Sequence, residues 1–196
     1  MDIPVRTTAL TAQDELSPAW WVLAAHGGSG ATALARMWGP AADAAGAWPA
    51  GIDEAVESPY VVLVARESAA GLAAAHDVLS AYYDAQLDAE LIGLVTVAAA
   101  PRLPTEIRGY LDVVGQAAPA HWRIGWHRHW LVMDTDDLPT WQIGDTAVAT
   151  RREQPHQVPA DMATTGNAVA EAIHHHLTDL YGPQPPHAGD VVPLSA

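Results

Sequence analysis

Unbroken apolar runs, rather than alternating apolar and polar positions, recur along the chain. Runs of this kind are typical of strands that are covered on both faces, as in a parallel sheet. They predict strands at about residues 20–25, 60–65 and 91–98, and a fourth strand is predicted at about 121–127. Apolar residues at helical spacing follow the first three strands, and a last helix is predicted at about 163–181. Strands that alternate with helices indicate an α/β fold with a parallel sheet and right-handed crossovers.

The segments outside this pattern define the predicted domain organisation. Residues 1–18 are polar and irregular and are expected to form an N-terminal arm. Residues 41–58 are rich in Ala, Gly and Pro and are expected to form a loop with little regular structure. The α/β domain is expected over residues 19–181, followed by a mobile, proline-rich tail over residues 182–196. A chain of 196 residues is long enough for one well-buried domain but short for two.

The turn after the first predicted strand has the layout of a phosphate-binding loop. It covers residues 26–33 and reads His-Gly-Gly-Ser-Gly-Ala-Thr-Ala. In such a loop, successive backbone N–H groups surround the phosphates and a lysine adds a charge-assisted contact. When the segment is aligned on the pattern G-x-x-x-x-G-K-[ST], Gly30 and Thr32 match, but Ala31 occupies the lysine position. All nine Lys and Arg residues of the chain are arginines, so no other segment supplies a lysine.

We expect this loop to keep the backbone half of a nucleotide or phosphate site, and the Thr32 hydroxyl is its candidate Mg²⁺ ligand. Arg36, one helical turn later, is a candidate replacement cation. The alternative, in which the glycines form only a tight turn between strand and helix, remains open. The predicted site residues are His26, Gly27, Gly28, Ser29, Gly30, Ala31, Thr32 and Ala33.

Ser29 supports a competing interpretation as a hydrolase nucleophile. The sequence His26-Gly27-Gly28 resembles the oxyanion-hole loop of lipases and esterases, and Gly27-x-Ser29-x-Ala31 resembles a nucleophile elbow whose last glycine is changed. One loop does not comfortably serve as both, and the chain offers many candidates for the remaining triad members. The esterase therefore stands as a third hypothesis.

The histidines and acidic residues are weaker signals. On the predicted strand, His127 and His129 would share a face and would need a distant carboxylate to hold a metal ion. The run 174–176, three histidines on a helix, cannot converge on one ion, because adjacent helical positions point about 100° apart. Glu67 and Asp53 are the nearest acidic candidates for an NTPase, and neither lies in a recognisable Walker B or switch pattern. The candidates for lining a pocket or an interface are Trp122, Trp126 and Trp130.

Composition and charge narrow the classes of function. The formal net charge of -14 opposes direct binding to nucleic acid, whose backbone is contacted mainly by Lys and Arg. Because cysteine is absent, disulfides, thiolate chemistry and cysteine-bound metals are excluded. No apolar run reaches the roughly 18–20 residues that cross a bilayer. Residues 1–6 have neither the basic start nor the apolar core of a signal peptide. We therefore expect a soluble, cytoplasmic protein without a membrane span.

The loop at 26–33 resembles the deviant Walker A motif K-G-G-x-G-K-T-T of the ParA/MinD class of P-loop ATPases, with both lysines lost. The chain is more closely similar to an uncharacterised family of GC-rich Gram-positive bacteria that is associated with plasmid and conjugative-element genes. This likeness covers about residues 20–131. It is carried by the glycine loop, Trp48-Pro49, Val61–Arg66 with Gly71-Leu72, Gly93–Val95, Pro101–Pro104 and Trp122–Trp126.

The resemblance implies a reduced three-layer parallel sheet of the P-loop NTPase type, in its SIMIBI class, with a C-terminal helix. It also implies ATP or GTP with Mg²⁺ at the strand carboxyl ends, and a homodimer that meets across the nucleotide. Phosphoryl transfer depends on positioned cations, so the loss of both lysines and of the switches predicts a pseudo-ATPase. Such a protein would bind a nucleotide or another anion weakly and act as an adaptor or regulator, with a protein partner, in a plasmid partition or conjugation-like system. A pure protein–protein interaction module, with the loop as scaffold, is the alternative.

Overall fold

A computed structural model describes residues 4–6, 8–10, 17–49, 57–85, 87–145 and 156–182. In chain order, the elements of these residues are β1 Trp20–Ala24, α1 Ala31–Met37, β2 Ala41–Asp43, β3 Tyr60–Arg66, α2 Ala69–Asp84, β4 Glu90–Val97, α3 Thr105–Gln116, β5 His121–Ile124 and α4 Ala160–Tyr181. Two short 3₁₀ turns, Arg128–Leu131 and Thr135–Asp137, lie between β5 and α4.

The five strands form one sheet in the order β2-β1-β3-β4-β5, and every neighbouring pair is parallel. This confirms the predicted α/β fold with a parallel sheet. The layout is Rossmann-like and fits a P-loop-type arrangement. The same strand order is also that of flavodoxin-like folds, so the order alone does not select one class of doubly wound protein.

Both faces of the sheet are covered, which explains why its strands show no polar alternation. Side chains of one parity, such as Trp20 and Val22, pack with α1 and α4 on one face. Their neighbours Trp21 and Leu23 pack with α2 and α3 on the other face. Helices on both faces make the sheet doubly wound.

The helices begin and end for local reasons. Ser68 caps α2, because its hydroxyl accepts a hydrogen bond of 3.1 Å from the Gly71 N–H. The helix then buries Leu72, Ala75 and Leu79 at helical spacing. In α4, Val169 and Ile173 are buried, whereas Leu180 is 60% exposed.

Three predicted boundaries are wrong. The expected loop at 41–58 begins with strand β2, an Ala-Ala-Asp segment with little intrinsic strand preference that forms because it pairs with β1. The strand predicted at 121–127 ends at Ile124, and the next N–H, that of Gly125, donates to the Asp161 carboxylate. The last helix begins at Ala160 rather than at 163.

The described part of the predicted N-terminal arm is paired with the domain. Val5 forms a parallel bridge with Trp48. The Trp48 N–H donates to the Pro4 carbonyl at 2.8 Å, and the Arg6 N–H donates to the Trp48 carbonyl at 2.9 Å. The predicted tail lies outside the described residues beyond Gly182. In the described part of the chain, no helix has the length and apolar character needed to cross a membrane.

Candidate functional site

A crevice opens at the carboxyl ends of β1 and β3. After β1 the chain turns into α1 on one face of the sheet, whereas after β3 it turns into α2 on the other face. In doubly wound sheets, ligands bind where neighbouring strands diverge in this way. The glycine loop predicted as the site therefore lies at the expected position in the fold.

The glycine loop itself is a compact turn. The Ser29 N–H donates to the His26 carbonyl at 3.2 Å, and the Ala31 N–H donates to the Ser29 hydroxyl at 3.3 Å. Gly28 and Gly30 have φ angles of 80° and 99°, a region that favours glycine. Two N–H groups of the loop are thus used within the loop rather than presented to a ligand.

The His26 ring links this loop to the neighbouring strand. Its Nε2 accepts a hydrogen bond of 3.2 Å from the Arg66 N–H, and its Nδ1 lies 2.9 Å from the Gly27 carbonyl. These contacts require a neutral ring protonated on Nδ1, because Nε2 acts as the acceptor. A side chain at Gly71 would press on this junction, since its Cβ would lie 2.8 Å from the His26 Nε2 and would also contact the Arg66 carbonyl. His26 therefore holds the end of β3 in place.

The candidate Mg²⁺ ligand, Thr32, has another partner. Its hydroxyl donates to the Asp43 carboxylate at 2.7 Å, and the same carboxylate accepts the Ala45 N–H. Sequence reasoning missed Asp43, because the strand that ends at this residue was predicted to be a loop. Arg36 donates to the Thr140 hydroxyl at 3.2 Å and so is tied to the segment after the 3₁₀ turns.

Glu67, the acidic candidate beside β3, is already neutralised. Glu67 is 3% exposed. The Nε of Arg123 donates to its Oε1, and the Nη2 of Arg123 donates to its Oε2 at 2.7 Å. Thr96 donates its hydroxyl to Glu67 and accepts from the His121 Nε2 at 2.9 Å. The hydrogen bond to Glu67 raises the pKa of Arg123, whereas burial lowers the pKa of His121. The other acidic candidate, Asp53, lies outside the described residues.

A cavity of about 160 Å³ lies beside this crevice, on the face that carries α1 and α4, and we call it the crevice cavity. The ends of β3 and β4, the first turn of α1 and the segment after β5 enclose it. Its lining includes the predicted loop residues Gly30 and Ala33. The other residues that line it are Leu34, Arg66, Val97, Ala98, Gly125, Trp126, His127, Trp130 and Leu131.

Arg66 is the cation of the crevice cavity. It has the same strand parity as Val62 and Val64, whose side chains pack on the α1 and α4 face, so its side chain extends towards the cavity. With respect to the residues that the structure describes, its guanidinium forms no hydrogen bond and no ion pair. Sequence reasoning considered Arg36 instead, since the face on which Arg66 lies depends on where β3 ends.

The far wall of the crevice cavity is held by Asp161 of α4. Its carboxylate accepts the Gly125 N–H at 2.7 Å and lies 3.0 Å from the His127 Nε2. The His127 ring also packs against the Trp130 ring, with centroids 4.5 Å apart. Burial alone would raise the pKa of Asp161, but the hydrogen bonds from His127, Gly125 and Met162 together lower it.

The structure places the remaining candidates away from any shared chemistry. His127 and His129 do not share a strand face, because both follow the end of β5. Groups of three or more His, Asp or Glu residues suited to a metal ion are absent from the described ranges. Ser29 is 1% exposed, and its hydroxyl contacts the Ala31 N–H rather than a histidine. His175 lies on the exposed surface of α4, 3.7 Å from Glu171.

Comparison of the chain with models of known protein families, with curated proteins and with solved structures gave no match.

Proposed function

We propose that this chain is a catalytically degenerate relative of the P-loop ATPases that binds a small anion in the crevice cavity. In this proposal it acts as an adaptor or regulator, in the partition-like or conjugation-like setting that the resemblance implies, and does not hydrolyse nucleotides. The observation that carries the proposal is the guanidinium of Arg66, which has no partner among the described residues and lines a cavity at the carboxyl ends of β3 and β4, beside the first turn of α1.

The charge of the site supports an anionic ligand. Guanidinium groups bind carboxylates and phosphates through paired N–H donors. Among the described arginines, Arg6 and Arg123 form ion pairs with acidic residues, and Arg66 is distinguished by its place in the lining of the cavity. Gly30, which immediately precedes α1, also lines the cavity and has no side chain that would occupy it.

The residues at the other P-loop positions support anion binding without nucleotide hydrolysis. Ala31 replaces the lysine, Thr32 is engaged by Asp43, and Glu67 is engaged by Arg123. The volume of about 160 Å³ is also below the roughly 300–1,000 Å³ of typical ligand pockets. A nucleoside triphosphate would have to leave most of its surface outside the crevice cavity.

Isothermal titration calorimetry with ATP, GTP, inorganic phosphate and simple carboxylates tests this proposal. We expect at least one small anion to bind the wild-type protein and to bind Arg66→Gln about tenfold more weakly or worse, since a hydrogen bond to a charged group contributes about 1.5–3 kcal/mol. Arg108→Gln, an exposed arginine of α3, is the matched control. Micromolar ATP binding with turnover would contradict the pseudo-enzyme, and anion binding that ignores Arg66 would contradict the site.

A second candidate function, a protein–protein interaction module, is favoured by the exposed apolar residues beside the cavity. Leu131 and Val132 are 63% and 84% exposed. Light scattering after size exclusion tests self-association as the immediate form of this function. A dimer that the double change Leu131→Ser with Val132→Ser dissociates, and that Val113→Ser on α3 does not, would support it, whereas a monomer at all concentrations would exclude self-association.

A further inference from the structure

We propose that the ligand of the crevice cavity is a small monocarboxylate with an apolar body, and that phosphate esters and nucleotides are disfavoured. This inference rests on the anion-binding function proposed above and names its ligand class. Three properties of the cavity carry it: its number of unpaired cations, the character of its walls and its volume.

The cavity has a single cation available to a ligand within the described lining. Arg66 has no acidic partner there, whereas the other basic group, His127, lies against the Asp161 carboxylate. A phosphate monoester carries about -1.5 to -2 charges and three acceptor oxygens. A carboxylate carries one charge and two oxygens, which a guanidinium matches with two parallel hydrogen bonds. One arginine therefore balances a carboxylate and leaves a phosphate partly unneutralised.

The net charge of the whole chain also favours a monoanion over a dianion. With a formal net charge of -14, the protein repels anions in proportion to their charge. Glu67, which follows Arg66 in the chain, is neutralised by Arg123, so the nearest carboxylate in sequence does not compete for the Arg66 guanidinium. A monoanion meets less of this repulsion than a dianion does.

The walls of the cavity are mostly apolar. Leu34 and Val97 line it from the helix and the sheet, and Trp126, Trp130 and Leu131 line it from the segment after β5. Burying apolar ligand surface contributes about 25 cal/mol for each Å². Inorganic phosphate has no apolar surface to bury, whereas a carboxylate on a hydrocarbon or aromatic ring places its ring against these side chains and its charge against Arg66.

The volume limits the size of the ligand. A cavity of about 160 Å³ is close in size to the roughly 150 Å³ apolar cavity that is known to bind benzene. A ring of benzene size with one carboxylate is of this order, and a nucleotide is several times larger. Benzoate is therefore a suitable probe, and benzamide is its neutral counterpart of nearly the same shape.

The experiment measures the binding of benzoate, benzamide, acetate, inorganic phosphate and AMP by calorimetry and by ligand-observed saturation-transfer NMR. We expect benzoate to bind the wild-type protein at least about tenfold more tightly than each of the other four probes, because only benzoate combines one negative charge with a ring. We expect Arg66→Gln to lose most of this binding and Arg66→Lys to keep part of it, since lysine retains the charge but not the planar fork. Arg108→Gln should bind benzoate as the wild type does.

The possible failures separate the two proposals. If phosphate or AMP binds more tightly than benzoate and Arg66→Gln abolishes that binding, the monocarboxylate is wrong and the anion site stands. If none of the probes binds in a manner that depends on Arg66, both proposals are wrong. Equal binding of benzoate and benzamide to the wild-type protein would also overturn the role of the charge, and this comparison does not depend on how any variant folds.

Discussion

The ion pair between Glu67 and Arg123 offers the sharpest test of the packing at the carboxyl ends of the strands. The Glu67 side chain is 1% exposed, and two nitrogens of Arg123 hydrogen bond to its two oxygens. Replacing Arg123 by Met removes both hydrogen bonds and keeps much of the aliphatic stem. The buried carboxylate is then left with the Thr96 hydroxyl, 3.2 Å away. An uncompensated buried charge of this kind is costly.

The exposure of the two side chains sets the expected loss of stability for Arg123→Met. Removing one partner of a fully buried ion pair costs about 3–5 kcal/mol. The Arg123 side chain is 47% exposed, so solvent screens the pair and we expect a smaller loss of about 2–3 kcal/mol. For a chain of this length, such a loss lowers Tm by about 4–12 °C. The double change Glu67→Leu with Arg123→Met removes the buried charge as well, so it should be more stable than Arg123→Met alone by at least about 1 kcal/mol.

Urea unfolding at pH 7, followed by tryptophan fluorescence and circular dichroism, measures these differences in the free energy of unfolding. Arg108→Met, which lies on the exposed surface of α3, serves as the control and should stay within about 0.5 kcal/mol of the wild type. If Arg123→Met stays within the same range, or if the double variant is less stable than the single one, the neutralisation of Glu67 by Arg123 is not what stabilises this edge of the sheet.

Three further predictions concern the neighbouring elements. Gly71→Ala should lower the free energy of unfolding by about 1–3 kcal/mol, because its Cβ would contact backbone at the end of β3. Gly109→Ala, whose Cβ meets nothing within 4 Å, should raise the free energy of unfolding by up to about 1 kcal/mol. Equal effects of the two changes in urea unfolding would contradict this prediction. The folded-state pKa of Asp161 lies below its usual value of 3.8, so its charged form contributes stability that is present above that value and is lost as the pH falls through the lower folded-state pKa. Urea unfolding from pH 5 to pH 2 should therefore show a shallower acid loss for Asp161→Asn than for the wild type, and parallel profiles would disprove the assignment. Thr32→Val should lower the free energy of unfolding by about 1 kcal/mol because it removes the hydrogen bond to Asp43, and Thr32→Ser, which keeps the hydroxyl, should lower it clearly less in the same urea unfolding assay.

The main strands and helices were predictable because their signals are local. β1, β3 and β4 are unbroken apolar runs, and such runs are found where a sheet is covered on both faces. The cap at Ser68 was predictable for the same reason, since its hydrogen bond reaches only three residues along the chain. The α/β class and the parallel sheet follow from these elements and their alternation.

The features that sequence reasoning missed depend on contacts between distant residues. The segment Ala41–Asp43 becomes a strand by pairing with β1, although its residues have little preference for one. β5 ends at Ile124, and the Gly125 N–H that follows it donates to Asp161, 36 residues further along the chain. The same limit applies to the site, because no local pattern tells which arginine at a strand end has an acidic neighbour and which does not.

Arg66 and Arg123 differ in their partners, and the sequence alone does not reveal this difference. Both arginines lie at the carboxyl edge of the sheet, but Arg123 forms an ion pair with Glu67, whereas Arg66 lines the crevice cavity. His26, at the position where the resemblance suggests a lysine, holds the Arg66 backbone instead of facing a ligand. We infer that the positive charge of the site comes from the neighbouring strand rather than from the glycine loop. In the proposed site, the loss of the lysines would change the kind of anion that is favoured and would not by itself remove anion binding.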